Sequence, residues 1–267
     1  QAAYPFLALI AGGLIAAAFA ALIGIPVLRL KSDYLAIATL GFAEVIRAVF
    51  QWGKLGPVTN GSNPLKSFIR IADFKIQAGD VTISLSTFIP VLMSTVCIGI
   101  IVLLINSSYG RAFKAIRENE IAAEAMGINL AHHKRLAFII SSFFAGVGGG
   151  MLAMYMGTVQ ALSFKSTMTY EILLIVVIGG IGSITGSVIT SFLYIASLEW
   201  LLRGLDSGEF LGIQAPGIFK NGFRMAVVSV IIMCVVLFFR KGIMGDRELS
   251  DLLKRKKHTS KGGARNG

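Results

Sequence analysis

Three long stretches of the chain, Val81–Gly110, Leu136–Phe164 and Ile172–Leu198, contain no Asp, Glu, Lys, Arg or His. An uncharged apolar run of about 18 or more residues is long enough to cross a bilayer as a helix. The pattern predicts membrane-spanning segments at Phe6–Leu28, Tyr34–Phe50, Val81–Ile105, Leu136–Val159, Ser166–Ile181, Ile184–Leu202 and Gly222–Phe239. Two regions are irregular. Tyr34–Phe50 is short and carries Glu44 and Arg47, while Ser166–Leu202 is too long for one crossing and is interrupted by Gly179-Gly180-Ile181-Gly182-Ser183-Ile184-Thr185-Gly186. The expected fold is an all-α polytopic membrane helix bundle with a Gly-rich break between two segments.

Composition supports that pattern. Hydrophobic residues make up 55% of the 267 and charged residues 15%, against about 25% charged in an ordinary soluble domain. The net charge of +11 is unevenly placed, with 9 of the 25 Lys and Arg in the last 28 residues. No basic stripe interleaved with aromatics accompanies it, so nucleic acid is not an expected partner. Cys97 and Cys234 lie in separate apolar runs and read as small buried hydrophobes. His132, His133 and His258 fall in hydrophilic segments without metal-ligand spacing. There is no Gly-x4-Gly-Lys-Ser/Thr loop and no His-Glu-x-x-His. The expectation is a chain with no catalytic residue, no metal site and no bound cofactor. It begins at Gln1 rather than Met, and an upstream piece is expected.

Basic residues mark the cytoplasmic side of a membrane protein. The loop Asn106–Arg135 carries Arg111, Lys114, Arg117, Lys134 and Arg135, and the tail after Phe239 carries nine more. Both are therefore placed inside. Between them the chain must cross an even number of times, so Gly179–Gly186 should be a turn between two passes or part of a re-entrant pair. Gln51–Asp80 is then outside, a turn-rich loop through Gly56-Pro57 and Thr59-Asn60-Gly61-Ser62-Asn63-Pro64. Its four basic residues run against the rule. The expected organisation is a transmembrane domain over 1–240, with an inner loop at 106–135 and an outer loop at 51–80, followed by a basic tail at 241–267.

Glu44 and Arg47 are three apart and share a helical face. Ionisable groups in a span face the bundle interior and pair. Two readings stand: a place on a transport path or at a hinge, or a self-neutralising structural pair. Lys165 and Glu171 are expected at a membrane interface.

The inner loop contains Gly110-Arg111-Ala112-Phe113-Lys114-Ala115-Ile116-Arg117-Glu118-Asn119-Glu120-Ile121-Ala122-Ala123-Glu124-Ala125-Met126-Gly127-Ile128. Its Ala, Glu, Lys, Arg and Met favour a helix. The spacing predicts Lys114–Glu118 and Arg117–Glu120 pairs, a stripe of Phe113, Ile116, Ala123 and Met126, and a stop at Gly127. One charged helix over 112–128 suits a cytosolic protein partner, with a helix lying on lipid as the alternative. Glu118, Glu120 and Glu124 balance Arg111, Lys114 and Arg117, which favours the protein.

This loop resembles the coupling loop of ABC-importer permeases, in which Glu-Ala-Ala precedes Gly by three residues. Ala122, Ala123 and Gly127 keep that spacing, while Ile121 replaces the Glu and Glu120 comes one place early. That departure resembles the LivM-type permeases of branched-chain amino acid importers. Leu28-Arg29-Leu30 with Tyr34–Arg47, and Val177–Gly186, resemble two further LivM segments. The loop at Thr59–Pro64 departs from the family's Thr-Gly-Gly-x-x-Gly.

The resemblance implies a permease subunit of the bacterial or archaeal cytoplasmic membrane. Its partners would be two cytosolic ATP-binding cassette subunits carrying ATP and Mg, a LivH-type second permease, an extracytoplasmic substrate-binding protein and membrane lipid. It also implies ATPase coupling through Arg117, Glu118, Glu120, Ala122, Ala123 and Gly127. Thr39, Gly41, Glu44, Arg47, Gly179, Gly180 and Gly182 become candidates for the translocation path or a hinge. A sugar or nucleoside permease of the same superfamily is the nearest rival reading. An ion-coupled secondary transporter is a second, and Glu44 is its one convincing coupling carboxylate.

Overall fold

The computed structural model describes residues 3–30, 32–66, 70, 75–78, 81–84 and 88–197, with 209–210, 213–214, 233, 242 and 244–245. All of the predicted span Gly222–Phe239 except Met233, including Cys234, and nearly all of the tail lie outside the described residues. The chain divides into two compact units, 1–166 and 167–267.

The first unit begins with two long helices, α1 (Ala3–Val27) and α2 (Ser32–Gln51). A 3-10 turn (Gly53–Leu55) and a one-turn helix α3 (Gly56–Thr59) follow. Next come a hairpin of β1 (Lys75–Ala78) and β2 (Val81–Ser84), and then α4 (Phe88–Asn106). Helices α5 (Ser108–Glu118), α6 (Glu120–Ala125) and α7 (Leu130–Met156) complete it. Helices α1, α2, α4 and α7 are each long and apolar enough to cross a membrane. Large apolar side chains such as Leu7, Leu103 and Ile37 point outward, as a lipid or partner environment requires. The protein is an all-α polytopic bundle decorated by short hairpins.

The third predicted span begins late. Val81–Ser84 does not open a helix but pairs antiparallel with Lys75–Ala78, Val81 facing Ala78. The reason is local: Val and Ile alternate with Thr and Ser, a strand pattern, and Gly and Asp fill the two positions between the strands. Helix α4 then starts at Phe88 with Pro90 in its first turn, where a missing N–H costs no helical bond.

Helix α1 packs along α7. Leu9, Ala20 and Val27 of α1 and Val147 of α7 form the buried seam. The contact is close because both sides are small: a Cβ on Gly146 would lie 2.7 Å from the Ala16 Cβ and 2.9 Å from the Gly12 carbonyl oxygen. The close contact runs through Gly and Ala of α1. Overpacking costs about 1–3 kcal/mol, so Gly146→Leu should lower the thermal stability of the detergent-solubilised protein. Gly148→Leu, with open space at its Cβ, should not.

The second unit holds most of α8 (Ser166–Gly179), with α9 (Ile184–Ala196) and a small hairpin of β3 (Glu209–Phe210) and β4 (Ile213–Gln214). The Gly-rich segment is a break, as expected. Gly180 and Gly182 have φ of 111° and 107°, outside the usual range of residues with a Cβ. Ser183 caps α9 by accepting a hydrogen bond from the Gly186 amide at 3.0 Å. The 14 residues of α8 span about 21 Å. That is short of a core of about 30 Å, so α8 has the length of a re-entrant segment rather than a full pass.

The two helices touch where they have no side chains. A Cβ on Gly179 would lie 2.7 Å from the Gly186 carbonyl carbon. Chain just past the last predicted span closes over the break: the Met244 amide donates to the Gly179 carbonyl at 3.3 Å. A Cβ on Gly180 would lie 2.7 Å from the Gly245 oxygen. The break and residues 242–245 thus lie together.

Candidate functional site

The inner loop folds as two helices, not one. Ser107 opens α5, accepting a hydrogen bond from the Gly110 amide. At Asn119 the backbone leaves the helix (φ −158°, ψ 110°), and the Asn119 side chain caps α6 by accepting from the Ala122 amide at 3.0 Å. Asn is a strong N-cap because its short side-chain oxygen reaches a free helical N–H. Helix α6 closes at Gly127, whose φ is 84°. The Gly127 amide donates to the Glu124 carbonyl at 2.9 Å and the Ile128 amide to that of Ala123 at 3.1 Å. These two bonds are a Schellman stop. Asn129 then caps α7 through the His132 amide at 3.0 Å.

The break at Asn119 changes the pairing. Arg117 bonds its neighbour Glu118 at 2.9 Å, and Glu120 takes Lys134 of α7 at 2.7 Å. Such exposed pairs are worth about 0.2–1 kcal/mol, so they orient α6 more than they stabilise it. His133 falls in a hydrophilic stretch of the sequence but is not fully solvated. It is half-buried and lies against Tyr109 and Phe113 of α5, with ring centroids 6.4 and 6.2 Å away. Its Nδ1 donates to the Asn129 carbonyl at 2.9 Å.

The break also changes what faces out. Ile116 and Ala123 point inward, Ala123 being only 4% exposed. Ala123 is therefore not a small surface available to a partner, and its expected direct contact is corrected. Ala122 remains exposed. Ile121 near the start of α6 and Met126 at its C-terminal end are 81% and 83% exposed, about 140° apart around the helix. The sequence reading missed Ile121 and put Met126 on the same stripe as Ala123. Ile116 and Ala123 keep a common inward side, while Met126 stands out because α6 ends there.

In α2 the Glu44–Arg47 pair forms, with Arg47 Nε donating to Glu44 Oε2 at 2.7 Å. The other oxygen, Oε1, accepts from the Ser166 hydroxyl at the start of α8. Ser166 is 122 positions away in sequence, and only the fold brings it there. Glu44 and Arg47 remain 40% and 26% exposed, respectively, so this chain alone does not cover them. Thr39 bonds the Ala36 carbonyl of its own helix at 2.9 Å. It lies about 140° around the helix from Glu44 and does not join that cluster. Gly41 faces open space. Gly179, Gly180 and Gly182 belong to the break in the second unit.

Apolar helices of spanning length and outward-facing hydrophobic side chains define a multi-pass membrane protein. Over residues 1–239 the chain matches the family described as branched-chain amino acid transport system / permease component, and it belongs to that family. It is 33% identical over 228 residues to the high-affinity branched-chain amino acid transport system permease protein LivM of Escherichia coli, covering 77% of this chain and 52% of that one. Identity to the Salmonella typhimurium LivM is 32% with the same coverage. A probable branched-chain amino acid transport permease protein LivH of Methanocaldococcus jannaschii is 27% identical over 80% of this chain and 64% of its own length. The chain spans about half the length of the LivM relatives. No solved structure matches it.

Proposed function

We propose that the chain is a membrane permease subunit of an ATP-driven importer for branched-chain or related amino acids. In this reading it has no catalytic residue and binds no cofactor or metal. ATP and Mg bind two cytosolic ATPase subunits, a LivH-type permease completes the path, and an extracytoplasmic protein selects and delivers the substrate. The setting is the cytoplasmic membrane, with 106–135 and 241–267 inside and 51–80 outside.

The observation that carries this is α6. It holds the position of the LivM-type coupling sequence, is fixed at both ends by Asn119 and Gly127, and presents Ile121 and Met126 to whatever docks there. Apolar side chains on a rigid helix suit a pocket in a partner protein. Closure of the ATPases would push on α6, and Glu120–Lys134 and His133 would pass the motion to α7. Glu44, Arg47 and Ser166 support a place beside the path, since charged groups in a span need cover from protein or water.

The test is the driving force. Cells expressing the full transporter should lose amino-acid uptake on ATP depletion and keep it under an uncoupler while ATP is maintained. The two ATPases should co-purify with this chain. Uptake that collapses with the uncoupler at constant ATP would instead identify an ion-coupled carrier.

A further inference from the structure

Nine methionines occur in the chain, and three of them converge on one place. Where α1 and α4 begin and α7 ends, Met93 of α4 and Met151 and Met154 of α7 line a cavity. Phe6 and Leu9 of α1 and Pro90 of α4 line it with them. Met151 and Met154 are three apart and share a face of α7. The side chains around the cavity are all apolar. Its free space is about 20 Å³, enough for one water-sized molecule and too small for a lipid chain or a solute. All three methionines are half-buried rather than buried, so a small uncharged reagent reaches them.

The three helices are not held equally. On the α1–α7 side the wall is fixed: Leu9 is 4% exposed and seats against Gly150, where a Cβ would lie 2.7 Å from its Cδ2. Helix α4 has no buried residue. It rests on the other two through half-buried side chains, Met93 among them. Thioethers are flexible and fill such irregular gaps well, but they are also the apolar side chains that oxidants convert to polar ones.

We infer that Met93, Met151 and Met154 form an oxidation-sensitive latch, and that peroxide, by converting them to sulfoxides, releases α4 from α1 and α7. In each step the thioether sulfur attacks one oxygen of hydrogen peroxide. The O–O bond breaks, an S–O bond forms, and the second oxygen leaves as water with both protons. Sulfur is oxidised by two electrons and the peroxide is reduced by two. The product carries a strong hydrogen-bond acceptor into a cavity whose side chains offer no donor, and an unpaired polar group is disfavoured there. With the α1–α7 wall fixed, α4 is the element that yields. It runs through Ser107 directly into α5, so its release also shifts the inner loop. Methionine sulfoxide reductases reverse the chemistry, which makes the latch a switch rather than a lesion. Met126 and Met156 are 83% and 59% exposed; they oxidise as well, but without loss of packing inside the bundle.

The test uses the full chain carrying Cys97→Ser and Cys234→Ser, purified in detergent and treated with hydrogen peroxide. Peptide mass spectrometry should find one added oxygen on each of Met93, Met151 and Met154, and the apparent Tm should fall by about 5 °C or more. Methionine sulfoxide reductases with dithiothreitol should remove the oxygens and restore the Tm. The variant Met93→Leu/Met151→Leu/Met154→Leu keeps the apolar volume. Under the same treatment it should hold its own Tm to within about 1 °C, although Met126 and Met156 are oxidised in it. Met156→Leu is the control and should lose stability as the parent does. Equal losses of Tm in the parent and the triple Leu variant overturn the inference. Two results on the parent alone also overturn it, whether or not the triple variant folds. One is sulfoxide at Met126 and Met156 with none at the cluster. The other is sulfoxide at the cluster with an unchanged Tm.

Discussion

The double variant Ile121→Asp/Met126→Asp is expected to abolish substrate-stimulated ATP hydrolysis and uptake while leaving the chain folded in the membrane. Both side chains are more than four-fifths exposed on α6, so the subunit alone loses almost no packing when they change. In the assembled transporter they would be covered by an ATPase. Burying an Ile or Met side chain is worth about 1.5–3 kcal/mol, and an unpaired carboxylate in its place adds a desolvation penalty. At about 1.4 kcal/mol per tenfold, the pair should weaken ATPase association by 100-fold or more. Extraction yield and thermal stability of the isolated subunit should match wild type.

Ala123→Trp should behave differently. Ala123 is buried in the loop's own fold, so the larger ring forces α6 away from its seat and lowers subunit stability as well as coupling. If the Asp variant associates with ATPases and transports normally, α6 is not the coupling element and the secondary-carrier reading gains.

Gly186→Val should prevent assembly of the second unit. The Gly186 Cα faces the Gly179 carbonyl so closely that an added Cβ would overlap the oxygen, and it would also stand 3.2 Å from the Met244 Cβ. Backbone on one side and a neighbouring chain segment on the other leave no flexible side chain to yield. The cost should reach or exceed the usual overpacking range of about 1–3 kcal/mol. The variant should be extracted in much lower yield, with an apparent Tm reduced by about 5 °C or more. Val188→Ala, two positions on and exposed, is the control and should assemble normally. If Gly186→Val assembles like wild type, the contact between α8 and α9 is looser than the structure has it.

The helices themselves were largely legible. Their lengths follow from how many apolar residues a bilayer demands, and several ends follow from single residues. Gly127 closes α6 and the glycines at 179–186 separate α8 from α9, whereas α7 begins at Leu130 behind its Asn129 cap, six residues before the start of the predicted span. Each of these is a local effect, settled within four or five residues of chain. The start of α4 was misplaced because Val81–Ser84 is apolar enough to extend the run, and only its pairing with Lys75–Ala78 reveals a strand.

The faces of the helices were not legible in the same way. Asn119 sits among strong helix formers, and composition favours one continuous helix. The capped break starts α6 anew and the Glu120–Lys134 pair ties it to α7, with Ala123 buried and Ile121 and Met126 exposed. Ser166 meets Glu44 from 122 residues away, and Leu65 meets Val159 from 94, distances at which no local signal operates. Along α1 nearly every residue is apolar, so hydropathy cannot say which side meets α7. Lipid and protein interior are equally apolar there, and the choice falls to shape. The sequence by itself determined that this chain crosses a membrane, where its helices run and which family it resembles. The tertiary structure decided which faces pack and which stay free, because between apolar surfaces only the close fit of Gly146 against Gly12 and Ala16, or of Gly179 against Gly186, separates one arrangement from another.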